Sequence, residues 1–154
     1  MTKPLVYAAL AAVLLGTGPV TAGPVEPGNV EFAEDFTVSA SLTDEAGDPA
    51  EGRKAFADRS LGNCLACHAV TEMSDQQFHG DVGPSLDGVA ERYDPAFLRA
   101  IVVNAKHVFG EQTIMPGFYT LEVGVDVAEK HQGKTILSAQ QVEDVVAYLT
   151  TLTD

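Results

Sequence analysis

The sequence predicts one all-α domain preceded by an extended arm. Three observations predict it: apolar residues recur at helical spacing in at least two stretches, three helix starts carry cap signatures, and strand-like alternation is confined to one short piece. The chain has 154 residues, 9 basic and 22 acidic, for a net charge of −13. So acidic a chain is a poor ligand for nucleic acid or anionic lipid, whose phosphates need cations.

The first 22 residues carry Lys3, an apolar run from Leu5 to Leu15 and small residues in Val20-Thr21-Ala22. This is the pattern of a cleaved secretory signal. The run is shorter than the about 20 apolar residues that cross a ~30 Å hydrocarbon core. Its removal takes away Lys3 and no acid, so the mature charge is one unit more negative. The expected localisation is the periplasm.

Residues 23–47 are rich in Pro, Gly, Ser, Thr and acids, with Val30, Phe32, Phe36, Val38 and Leu42 too scattered for a helix. They read as an extended arm. Unfastened tails lack aromatics, so Phe32 and Phe36 place the arm against its own domain or against a partner.

The compact domain, 48–154, begins at Asp48-Pro49-Ala50-Glu51, where Asp48 caps, Pro49 suits the first turn and Glu51 completes a capping box. A helix from Asp94-Pro95 has Phe97, Leu98, Ile101 and Val102 as its stripe and is expected to end near Asn104. Leu121 to Val127 alternates like a strand and reads as a hairpin arm or a loop. The last helix starts at Ser138, with Gln141 three residues on, and sets Val142, Val145, Val146 and Leu149 at i, i+3, i+4 and i+7.

The chemistry-bearing motif is Cys64-Leu65-Ala66-Cys67-His68, which holds the only two cysteines. On one turn of helix, positions i, i+3 and i+4 share a face, so both thiols and the imidazole meet one flat macrocycle. C-x-x-C-H is the attachment motif of c-type haem. Two other readings are weaker. A thioredoxin-like dithiol needs a βαβ setting, which is missing, and a zinc site needs four ligands, whereas His79 has no second histidine three to five residues later. With both sulfurs taken up as thioethers to haem vinyl groups, no disulfide is expected.

His68 occupies one face of the iron, and the sequence offers Met73, Met115, His79, His107 and His131 for the other. Met73 follows His68 by five residues, roughly 17 Å of extended chain, too little to pass round the macrocycle. Met115 stands in Thr113-Ile114-Met115-Pro116-Gly117-Phe118, where Pro116 bars helix and fixes the backbone presenting the thioether. It comes first, with His79 and His107 behind it. Histidine–methionine ligation closes the iron and favours electron transfer over oxygen chemistry. A labile Met115 would instead make a gas or redox sensor. In Gly83-Pro84-Ser85-Leu86-Asp87-Gly88, the Pro84 carbonyl is free to accept from the other ring nitrogen of His68, and Leu86 is placed to pack on the haem. Arg53, Lys54 and Arg59 precede the motif as a solvated face or a small docking patch.

Taken together, C-L-A-C-H, D-V-G-P-S-L-D-G-V-A-E-R-Y, T-I-M-P-G-F and the capped last helix resemble the class I cytochromes c. Gly52 and Phe56 against Tyr148 resemble the crossing of first and last helices in that fold. The wording around 81–94 and 113–119, the insert 119–138 and the arm are similar to SoxX, the small c-type cytochrome family of thiosulfate-oxidising SoxAX complexes. The resemblance implies one covalent haem c and a heterodimer with a SoxA-like cytochrome subunit, monohaem or dihaem, that holds the catalytic haem. It implies electron relay in the oxidative conjugation of thiosulfate to a cysteine of the SoxYZ carrier, an L-cysteine S-thiosulfotransferase reaction. A soluble acceptor cytochrome would take the electrons, and no catalytic residue is expected in this chain. The alternative is a free-standing periplasmic electron carrier.

Overall fold

The computed structural model describes residues 23–122, 124–129 and 132–154; the expected signal segment lies outside the described residues. Local chemistry sets the helix starts. In α1, Pro49–Ala57, the Asp48 carboxylate accepts from the amides of Ala50 and Glu51. After the four-residue α2, Val89–Arg92, helix α3 runs Pro95–Phe109 with Asp94 accepting from the Phe97 amide. Helix α4, Ala139–Leu149, opens on a full capping box between Ser138 and Gln141. Such caps satisfy amides that the first turn leaves free and contribute about 1 kcal/mol each.

The first helical run of α3 ends at Asn104, as the sequence led one to expect: that residue leaves helical geometry at φ −154°, ψ 90°, and a second run, unannounced in the sequence, follows to Phe109. The alternating piece near Leu121 takes the second of its two expected forms, a loop: no strand forms there among the described residues, and Leu121 and Val125 lie exposed. Alternation without a partnering strand leaves its backbone groups to water.

The core forms where α1 crosses α4 and α3 packs on α4. Gly52 permits the crossing: a Cβ there would overlap the Asp144 carbonyl and come 2.8 Å from the Tyr148 Cβ. Phe56 meets Tyr148 edge to face, with ring centroids 5.5 Å apart. The Tyr148 hydroxyl is buried without a hydrogen-bond partner among the described residues. Burial first, then nearby Glu72, pushes that phenol well above its ordinary range, so it stays protonated.

The arm rests on its own domain. Val38 and Leu42 are buried, Phe32 stacks on His107 at 4.1 Å, and the Tyr119 hydroxyl donates to the Val25 carbonyl. Its clamp is the pair Arg99–Glu143, joined by two hydrogen bonds of 2.8 Å. Arg99 also donates to the Val38 carbonyl at 2.9 Å, and Glu143 accepts from the Leu42 amide at 2.9 Å. Glu143 is only 5% exposed, so each charge depends on the other. Glu143→Ala would strand the guanidinium and the Leu42 amide. We expect a loss of roughly 3–5 kcal/mol by denaturant unfolding, with the Leu42 amide losing exchange protection first.

Candidate functional site

Cys64–Ala66 form a single tight 3₁₀ turn, entered through Asn63 in the left-handed region at φ 48°. The amides of Cys67 and His68 both donate to the Cys64 carbonyl, at 3.1 and 2.9 Å. The two free thiols and the imidazole therefore line one cavity. Burial pushes the Cys64 thiol up to about 12, so before it reacts it is a protonated group in apolar surroundings.

The cavity measures about 760 Å³, within the ~300–1,000 Å³ that encloses small-molecule ligands. Ile114, Met115 and Pro116 line the same cavity as His68, and Phe56, Leu98, Val102, Val145 and Leu149 supply apolar walls. This is a slot for a large, flat, apolar group held through sulfur and imidazole. The residues fit haem.

His68 is oriented from behind. Its Nδ1 lies 2.8 Å from the Pro84 carbonyl oxygen, to which it donates, so Nε2 is the nitrogen available to the cavity. The approach requires Gly83, since a Cβ there would run into the His68 ring. Leu86 lines the same cavity and is partly buried against the core.

The loop that presents Pro84 is itself tied down. Asp87 accepts from the amide and hydroxyl of Thr71, both at 2.8 Å, and Arg92 donates to the carbonyls of Asp87 and Ser85 at 2.6 and 2.9 Å. The sequence reading passed over this tie; an acid sixteen positions from its partner shows no local signature.

The alternatives for the second ligand are placed elsewhere. Met73 is fully buried in the core, and His79 uses both ring nitrogens, toward the Val70 amide and the Met73 carbonyl. His107 stacks on Phe32 outside the cavity, and His131 lies outside the described residues. Among the described candidates for the second ligand, Met115 alone lines the cavity that His68 also lines. Before the motif, Arg53 pairs with Asp75 at 2.7 Å, Lys54 with Glu51 at 2.6 Å, and Arg59 sits 5.9 Å over Phe78. The cations are spread over a solvated face. The mouth of the cavity is instead apolar, with exposed Val82, Phe109 and Ile114 that the sequence reading did not single out.

The family model for cytochrome c matches residues 49–153. The chain belongs to the cytochrome c family. A chain of the crystal structure of SoxXA from P. pantotrophus matches with a TM-score of 0.77 and 41% identity, covering 85% of this chain and 99% of that one. Residues from Pro49 onward are too few to supply that share, so the likeness extends into the arm. Two further structures match less well: the c-type cytochrome SorU from Sinorhizobium meliloti, at TM-score 0.43 and 27% identity over 68% of this chain and 90% of that one, and ferric cytochrome c-550 from Paracoccus versutus, at 0.39 and 24% over 70% and 99%. No curated protein sequence matches the chain. This SoxX-like cytochrome c has the class I fold, carries one covalently attached haem c and is an electron-transfer protein.

The hydrogen bonds from Thr71 hold the Asp87 carboxyl below its ordinary value, the amide first and the hydroxyl next. A lowered acid stabilises the loop fully above the unfolded carboxylate value of 3.8 and loses that contribution as pH falls through the lower folded one. Protection of the Thr71 amide should therefore hold from neutral pH to about pH 4 and drop below it. In Asp87→Asn, exchange at Thr71 should be faster at neutral pH and lose that acid step.

Proposed function

We propose that this chain is the monohaem electron-relay subunit of a periplasmic SoxAX-type enzyme, paired with a SoxA-like cytochrome. That enzyme joins thiosulfate to a carrier cysteine with release of two electrons, and this chain passes them singly to an acceptor cytochrome. The observation that carries the reading is the match to a SoxXA chain at 41% identity, reaching into the arm.

Haem c supplies a reversible one-electron store. Cys64 and Cys67 would provide the thioether links, and His68, whose tautomer the Pro84 carbonyl fixes, would offer Nε2 to the iron. Met115, which lines the same cavity, would provide the thioether that closes the metal and raises its reduction potential relative to a second imidazole. Leu86 and the apolar walls would pack against the haem. The apolar mouth formed by Val82, Phe109 and Ile114 is where an electron partner can approach closely without desolvating charge.

Met115→Ala should abolish the thioether-to-iron absorption of the ferric protein, lower the reduction potential and let the ferrous protein bind carbon monoxide. An unchanged ligand-field spectrum in that variant would falsify Met115 as the ligand. The relay role is checked by adding thiosulfate to the oxidised protein. Haem reduction is expected only when the SoxA-like subunit and the carrier are both present, and a native preparation that is monomeric without a haem-bearing partner would favour the free-standing carrier.

A further inference from the structure

The break in α3 at Asn104 sets two polar exchanges in motion, and both end at the segment that carries Met115. In an unbroken helix the amides of Lys106 and His107 would bond the carbonyls of Val102 and Val103. Here both amides are instead taken by the Asn104 side-chain oxygen, at 3.2 and 3.4 Å. They stand at the second and third positions of the resumed helix, where a capping side chain is normally met. The Val102 and Val103 carbonyls, released, accept from the amides of Phe118 and Tyr119 at 3.1 and 3.0 Å. Asn104 thus frees two buried acceptors, and the chain just after Met115-Pro116-Gly117 occupies them.

The other side of the segment is held from the same stretch of helix. Lys106 Nζ donates to the carbonyls of Thr113, at 2.9 Å, and Glu111, at 3.3 Å. Met115 lies between the two anchorages, two residues beyond Thr113 and three before Phe118. Gly117 makes room for the arrangement: a Cβ there would stand 3.1 Å from Asn104 Oδ1.

The geometry points to Asn104 and Lys106 as positioning residues that hold the Met115 thioether against the iron, with the interruption of α3 as the device that makes the carbonyls available. This rests on Met115 as the iron ligand. Neither residue lines the cavity, so both act through the loop.

Asn104→Ala tests it, because alanine removes the cap and is the best helix former. The helix should run through, the Lys106 and His107 amides should reclaim Val102 and Val103, and Phe118 and Tyr119 should lose amide-exchange protection. In the holoprotein the ferric thioether-to-iron band should weaken, the reduction potential should fall, and the ferrous form should take up carbon monoxide roughly five- to tenfold more readily. Asn104→Asp, which keeps the capping oxygen, should restore all three. Lys106→Met, which keeps the stem and loses the donors, should shift the same readouts while leaving Phe118 and Tyr119 protected, and it decides the matter if Asn104→Ala does not accumulate. An unchanged band, potential and carbon monoxide uptake in the accumulating variants overturns the inference. Met115→Ala in parallel separates the failures: if it too leaves the band unchanged, the ligand assignment has failed, whereas if it alone removes the band, only the positioning role has.

Discussion

An apolar cavity of about 760 Å³ in a 154-residue chain is the constraint on which the rest depends. Buried space of that size forfeits the dispersion contacts and area burial that hold a small domain together unless a group fills it. Covalent attachment removes the alternative of losing that group. Leu98, Val102, Val145 and Leu149, the side chains that would otherwise close α3 onto α4, become its walls. The cofactor is a core element here as well as a redox centre, and the 3₁₀ turn at Cys64–Ala66 is its covalent fastening to the fold.

Around that core, polar contacts supply direction where apolar packing supplies adhesion. Pro84 and Asp87 aim the imidazole of His68, and Asn104 and Lys106 tie down the segment on either side of Met115. The buried Arg99–Glu143 pair fastens residues 38–42 over α3 and α4. A buried ion pair is weak grounds for net stability against an apolar replacement. Its geometry, two parallel bonds plus one backbone partner for each side chain, fits one path of the arm and rejects others.

What could be read from the sequence was what depends on neighbours in sequence. The haem motif and the three capped starts lie within a few residues of their cause, and Gly83-Pro84 announced the turn whose carbonyl meets His68. The stop of the first run at Asn104 was legible, whereas the second run to Phe109 was not, because only residues 118 and 119, brought back by the fold, use the carbonyls that the interruption frees. The arm's resting place was hidden for the same reason: nothing near Val38 points to Arg99. Alternation at 121–127 left hairpin arm and loop open because a period of two says nothing about whether a neighbouring strand exists.

The clamp also orders events during biogenesis. Leu42 finds its acceptor on Glu143, 101 positions downstream, and two walls of the cavity, Val145 and Leu149, arrive later still. Until those residues are in place the sulfur pair at 64 and 67 lacks two of its walls, and the N-terminal stretch can settle only once the last helix has joined the fold.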